Sequence, residues 1–244
     1  MDTAAHCIEL LQERLPVVCS LDEDTSTLIY GDDRLARFSA CEADMIVAIG
    51  GDGAVLRAAQ VAIAHDKPLL GINTGRLGHL CCLQLKELDD LTEERFAQCK
   101  TSPRTVLEFE LDGKTYHALN DVIIAKEHFG ETLELKTWVD GEARKSFRGD
   151  GLIIATPTGS TAYNVSAGGP ILEPCVPAFV MTAICPHNER ISAQVIGDNA
   201  KIEVQIVRAT NGKARVYADG AACGTVESLF TVKRREKTLS LICK

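Results

Sequence analysis

"MIVAIGGDGAVLRAAQVAIAHDKPLLGIN", residues 45–73, decides the fold class of the amino-terminal part of this chain. Met45 to Ile49 is an uninterrupted apolar run of strand length. "GGDG" at 50–53 is a turn, residues 54–66 carry apolar groups at helical spacing, and "KPLLGIN" at 67–73 is a second short apolar strand. Strand, turn, helix and strand in that order form the unit from which parallel open sheets are built. Ligands of such sheets gather at the carboxyl ends of strands, where a glycine turn and a helix amino terminus favour phosphate. The turn at 50–53 has that position, yet it matches neither G-x-G-x-x-G nor the lysine-bearing P-loop. It carries a carboxylate instead. Beside a phosphate, Asp52 would be repelled unless a cation or a proton transfer is involved, which leaves a general base or a magnesium partner. A cap on the following helix is the structural alternative, and the turn alone does not separate the three.

Working outward, residues 3–14 have helical apolar spacing and "PVVCSL" at 16–21 reads as a short strand. Residues 22–44 are polar and weakly patterned. After about residue 104 the pattern changes. "TVLEFELDGKTYHAL" (105–119) and "LELKTWVDGEARKSF" (133–147) alternate apolar and polar residues around a central Asp-Gly, and both read as hairpins. Further strands are expected at "GLIIAT", "AFVMTAI", "KIEVQIV", "ARVYA" and "TLSLI". The expectation is an α/β open-sheet domain over residues 1–104 and a β-rich, sandwich-like domain over 105–244, whose last residues are free to pack back on the first.

Composition narrows the function. A net charge of −8 and a pI near 5.3 across 244 residues show no basic face for nucleic acid. The longest apolar runs are strand-sized, far short of the roughly 20 residues a bilayer requires, so no membrane partner is expected. The opening "MDTAAHCIELLQERL" lacks the basic-then-apolar plan of a secretory signal, and a cytoplasmic location is expected. The ten cysteines are scattered, no CxxC occurs, and buried reduced thiols are expected rather than a disulfide scaffold. Cys185 and His187 lack a second pair with zinc spacing.

A second run, "RGDGLIIATPTGSTAYNVSAGGPI" at 148–171, is dense in glycine and hydroxyl groups. Thr156, Thr158, Ser160, Thr161 and Ser166 can each donate and accept, and Tyr163 offers a flat face for a base. Those features suit a polar nucleotide, although the same residues make ordinary turns.

Taken in order, "GGDG" at 50–53, "GINTGRLGHL" at 71–80, "NDV" at 120–122, "DGLIIATPTGSTAYNVSAGGPI" at 150–171 and "ICPH" at 184–187 resemble the NAD kinase family, which phosphorylates the adenosine ribose 2′-hydroxyl of NAD. The resemblance implies a two-domain fold with the site between the domains, and homodimers or homotetramers. It implies that ATP is the donor, with Mg2+ or another divalent cation, and that NAD is the substrate. By the same resemblance Asp52 takes the proton of the 2′-hydroxyl, while Gly50, Gly51 and Gly53 let phosphates approach. Asn120 and Asp121 match the pair that holds the ribose. Thr161, Ala162, Tyr163, Asn164, Val165 and Ser166 match the adenosine segment, with Tyr163 against the base. Arg57, Arg148 and Asp150 match positions that contact the dinucleotide.

Related lipid kinases share the GGDG turn, but the 150–171 run and the lack of a basic amphipathic helix set this chain apart from them. A catalytically weak dinucleotide-binding or regulatory member is the reading from a different class. Departures from the family pattern are His79, where phenylalanine is usual, and Ala221, where glutamine usually follows the Asp219-Gly220 pair. The plain reading of that pair is a hairpin turn. Arg76 is read as a surface arginine, and His187 as a packed or hydrogen-bonded structural histidine. The chain begins at what resembles the family's first helix, without the strand that usually precedes it, and stops at "LSLICK"; a shortened form with a complete set of site residues is expected.

Overall fold

A computed structural model describes residues 3–19, 42–75, 78–128, 130–144, 146–187, 190–209 and 212–244. The chain divides into two compact units, Met1–Pro103 with Leu239–Lys244, and Arg104–Thr238.

The first unit opens with α1 (Thr3–Arg14), which buries Cys7, Ile8, Leu10 and Leu11, one face at helical spacing. The strand expected over 16–21 does not form in its described part, Pro16 to Cys19; Val18 there is 85% exposed, and no strand among the described residues pairs with it. Then β1 (Ile46–Gly50), α2 (Asp52–Ala64) and β2 (Leu69–Asn73) form the expected unit, with β1 and β2 parallel and Ile46 opposite Leu69. Its remaining elements are β3 (Leu83–Gln84), α3 (Glu93–Ala97) and β4 (Lys100–Arg104). β2 is buried along its whole length, which is why its sequence is apolar without alternation up to the terminal Asn73. The core here joins Leu10, Leu11, Leu70, Ile72, Leu83, Leu88 and Leu91.

The second unit contains β5 (Leu107–Leu111), β6 (Lys114–Ala118), β7 (Asp121–Ala125), β8 (Leu133–Val139), β9 (Glu142–Ala143), β10 (Phe147–Gly149) and β11 (Gly151–Ala155). After a one-turn helix, α4 (Tyr163–Ser166), come β12 (Ala178–Ile184), β13 (Gln194–Gly197), β14 (Ile202–Arg208), β15 (Ala214–Ala218), β16 (Ala221–Val226) and β17 (Leu229–Arg234). They make two antiparallel sheets, ordered β10-β8-β14-β17-β5-β6, with β9 beside β8, and β13-β12-β11-β7-β15-β16. Leu107, Phe109 and Val204 from one sheet share a core with Val122, Ile154 and Phe179 from the other, so the unit is a sandwich. Both expected hairpins form. Their turns, Asp112-Gly113 and Asp140-Gly141, have positive φ at both residues, as does Asp219-Gly220.

β11 is buried on both faces. Leu152 and Ile154 enter the sandwich core, while Ile153 and Ala155 pack on the other face with Val180, Ala167 and Leu172. The glycine- and hydroxyl-rich run after β11 therefore lies over that outer face. Finally β18 (Leu239–Cys243) returns to the first unit and pairs parallel with β2, setting Leu241 opposite Leu69. Among the described residues no helix is long and apolar enough to cross a membrane. Cys7 and Cys82 are buried as expected, whereas Cys175 and Cys185 are exposed thiols.

Candidate functional site

In the first unit the chemistry gathers at the carboxyl end of β1. Gly50 has a φ of 149°, and a Cβ there would come within 2.7 Å of the Ala54 Cβ, so only glycine lets the strand turn into α2. Gly51 is different: its φ is an ordinary −96°, and nothing lies within 4 Å of where its Cβ would be. Its lack of a side chain leaves open space. Gly51 is also the residue that caps α2, and no side chain makes a cap bond. The cap reading of Asp52 is thereby corrected, because Asp52 is already inside the helix and its carboxylate points elsewhere.

It points to residues 78–80. The His79 N–H donates to Asp52 Oδ2 at 2.9 Å and the Leu80 N–H donates to Oδ1 at 3.1 Å. A Cβ on Gly78 would overlap Asp52 Oδ1, so this loop approaches as closely as it does because residue 78 is glycine. Two backbone donors fix the carboxylate plane, and each oxygen keeps a second lone pair. His79, the departure from the family pattern, enters this contact through its backbone. Arg57 lies exposed one turn on in α2, with its guanidinium 3.8 Å from the Gly53 Cβ position. Arg76 lies outside the described residues.

In the second unit, residues 119–121, the run 156–166 and Asp219 converge. The Thr156 N–H donates to the Asn120 carbonyl at 2.8 Å, and the Thr156 hydroxyl donates to the Leu119 carbonyl at 2.6 Å. Gly159 is pressed so closely on the Asn120 backbone that a side chain there would overlap its carbonyl. The Asp219 carboxylate accepts the N–H groups of Leu119, Asn120 and Asp121 at 2.8, 2.7 and 3.2 Å. The backbone of this turn is thus held from two sides while its side chains are left over. Asn120 Oδ1 is buried without a partner, and Asp121, only 4% exposed, makes no hydrogen bond through its carboxylate among the described residues. Burial first, and the neighbouring Asp219 charge second, push the Asp121 carboxyl up to about 7. Buried acceptors left unpaired are costly, and a ligand's hydroxyl groups would satisfy them.

The adenosine segment divides by direction. Tyr163 is 44% exposed, and Thr161, Val165 and Ser166 are exposed as well, while Ala162 is half-buried. Asn164 is fully buried: its Nδ2 donates to the Ser160 and Pro170 carbonyls, and its Oδ1 accepts from the Thr182 hydroxyl at 2.7 Å. Its side chain is turned inward and holds the run in place. Arg148 and Asp150 bond elsewhere. Arg148 Nε donates to Glu134 Oε2 at 2.9 Å, on the wall of a cavity of about 380 Å³ with Arg208, and Asp150 pairs with Lys126 Nζ at 2.7 Å. His187 is exposed rather than packed, and its backbone N–H donates to the Arg148 carbonyl.

Sequence reasoning missed Asp219, Gly78 and the amides of His79 and Leu80. Asp219 was visible as half of a family Asp-Gly pair whose plain reading is a turn, and backbone donors carry no residue signature at all.

The ATP-NAD kinase N-terminal domain family matches residues 6–98, and the ATP-NAD kinase C-terminal domain family matches residues 119–229. The NAD kinase of Christiangramia forsetii is 32% identical over 256 aligned positions, covering 96% of this chain and 85% of that protein. The NAD kinase of Bacteroides fragilis is 32% identical, covering 98% and 86%. Among solved structures, yeast NADH kinase complexed with NADH superimposes with a TM-score of 0.83 at 25% identity, covering all of this chain and 79% of that one. An NAD kinase from Archaeoglobus fulgidus in complex with ATP gives 0.75 at 25% identity, covering 99% and 89%.

Proposed function

The chain belongs to the NAD kinase family, and from that premise we propose that it transfers the γ-phosphoryl group of ATP to the adenosine ribose 2′-hydroxyl of NAD, giving NADP. The observation that carries the mechanism is the carboxylate of Asp52, fixed by the His79 and Leu80 amides at the mouth of an open glycine turn. A ribose hydroxyl is a weak nucleophile. Asp52 accepts its proton through a remaining lone pair as the oxygen attacks the γ-phosphorus and the bond to the β-phosphate oxygen breaks. Gly51 and Gly53 leave room for the phosphates, and the amino end of α2 favours their charge. Phosphoryl transfer gains most from such positioning.

NAD is held by the second unit. The unpartnered Asn120 Oδ1 and Asp121 carboxyl receive ribose hydroxyls, and the exposed Tyr163 ring covers the adenine with Thr161, Ala162, Val165 and Ser166 around it. Arg57, Arg148 and Asp150 complete the dinucleotide contacts, the last two exchanging their present ion-pair partners. Among the described residues no three His, Cys, Asp or Glu side chains converge as a metal cage. A divalent cation would fit here as a companion of the donor's phosphates rather than in a site of the chain's own. When bound, such a cation neutralises charge on the transferred group. Assembly is as a homodimer or homotetramer in the cytoplasm, the first of which light scattering reads directly.

The test is to supply NAD, ATP and magnesium and to measure NADP with a coupled dehydrogenase. NADP formation that collapses in Asp52→Asn is expected. A wild-type protein that binds NAD without making NADP would overturn the kinase reading in favour of a regulatory member.

A further inference from the structure

Three Asp-Gly pairs form hairpin turns in the second unit with the same backbone conformation, φ being 52°, 53° and 48° at Asp112, Asp140 and Asp219. That conformation suits asparagine or glycine as well as aspartate. A hairpin therefore does not require the carboxylate of Asp219. Yet that carboxylate reaches about a hundred residues back along the chain and takes three successive amides, Leu119 on Oδ2 and Asn120 and Asp121 on Oδ1. The Asp219 N–H closes the ring by donating to the Asp121 carbonyl at 3.0 Å. Asp140, by contrast, accepts the amide of Lys201.

The position also has an electrostatic cost. Asp219 stands beside the buried Asp121 and opposes its ionisation, second only to burial as a cause of the raised value there. A residue needed only for the turn would have no reason to bear that repulsion, since asparagine supplies the turn without it. Every main-chain hydrogen-bonding group of Asn120 is consequently engaged, its N–H by Asp219 and its carbonyl by Thr156. Only the side chains of residues 120 and 121 remain to meet a ligand.

We propose that Asp219 is a positioning residue, whose carboxylate clamps the 119–121 turn and so presents Asn120 and Asp121 to NAD. The inference rests on the NAD-binding reading above and gives a role to a residue whose plain reading was a hairpin turn. Asp219 touches no reacting atom. It acts by fixing the turn before substrate arrives, so the entropy of ordering that turn is not charged against binding.

The experiment compares Asp219→Asn and Asp219→Gly with Asp112→Asn, a matched change in a sister turn. Both replacements at 219 keep the positive φ; asparagine turns an amide donor toward the Leu119 N–H, and glycine removes all three acceptors. NAD affinity, measured by calorimetry without ATP, is expected to fall roughly tenfold or more in both variants at 219 and to stay within about twofold in Asp112→Asn. In turnover the KM for NAD should rise while the KM for ATP holds. Removing the charge should also move the pH dependence of NAD affinity to lower pH in Asp219→Asn, a shift that loss of a hairpin would not produce. Hydrogen exchange at the amides of 119–121 should speed up in both variants at 219.

Unchanged NAD affinity or unchanged exchange at 119–121 in Asp219→Gly overturns the proposal, and so does an equal loss in Asp112→Asn. If the wild type binds NAD but makes no NADP, the kinase reading fails while binding and exchange still decide the role of Asp219.

Discussion

Two carboxylates show how position, rather than residue type, sets the chemistry. Asp52 is half-buried and held by two amides, whereas the buried Asp121 carboxyl has no hydrogen bond among the described residues and is pushed up to about 7, so the first is proposed as the base while the second resists losing its proton. Replacing Asp52 with asparagine keeps the shape and removes the proposed base; kcat is expected to fall about 10²–10⁴-fold with little change in NAD affinity, read by the coupled assay and by calorimetry. An equal loss of NAD affinity would make Asp52 a binding residue instead. For Asp121 the sign follows from linkage. Its carboxyl ionises near the ordinary 3.8 when unfolded and at about 7 when folded, so between those values the folded chain holds more protons. Stability contributed at low pH is therefore lost as pH rises from about 4 toward 7, by an amount on the order of a few kcal/mol. Asp121→Asn should flatten that slope in denaturant titrations run across the window. These positions were unevenly legible: the GGDG turn singled out Asp52 without separating a base from a magnesium partner or a cap, and nothing in the sequence says that Asp121 would be buried beside Asp219.

At the scale of elements, the loop at 78–80 matters as much as the helix it touches. Gly78→Ala would force a Cβ into Asp52 Oδ1, so the loop or the carboxylate must move. Activity is expected to fall by tenfold or more, with melting temperature shifted by only a few degrees, because the change lies at a half-exposed loop rather than in the core. The segment after β11 is held in another way. Asn164 ties Ser160, Pro170 and Thr182 together from inside, and Asn164→Ala should strand the Thr182 hydroxyl and cost about 1–3 kcal/mol, measured by chemical denaturation. The strands and hairpins around these loops could be read directly. Alternation and Asp-Gly gave β5 to β6 and β8 to β9, since period and turn chemistry are local properties. The expected strand at 16–21 does not form in its described part: a strand needs a partner, none pairs with it among the described residues, and apolar residues cannot signal one.

For the molecule as a whole, stability is expected to be concentrated in the two-sheet core of the second unit. Phe179 is fully buried there, and Phe179→Ala should cost about 3–5 kcal/mol, read from the denaturant midpoint. The first unit depends on a strand from the far end of the sequence, β18, whose Leu239 and Leu241 are 2% and 1% exposed. Deleting residues 239–244 should speed amide exchange in β2 while leaving β11 protected. What the sequence determined by itself was everything local: the β1-turn-α2-β2 unit, the alternating strands, the Asp-Gly turns and the ordered motifs that mark the family. Tertiary structure alone decided which amides meet which carboxylates. Asp52 finds its donors 27 and 28 residues away and Asp219 finds its own about a hundred residues away, and those donors are main-chain N–H groups. Every residue but proline carries that group, so no pattern of side chains can point to the ones that will be used.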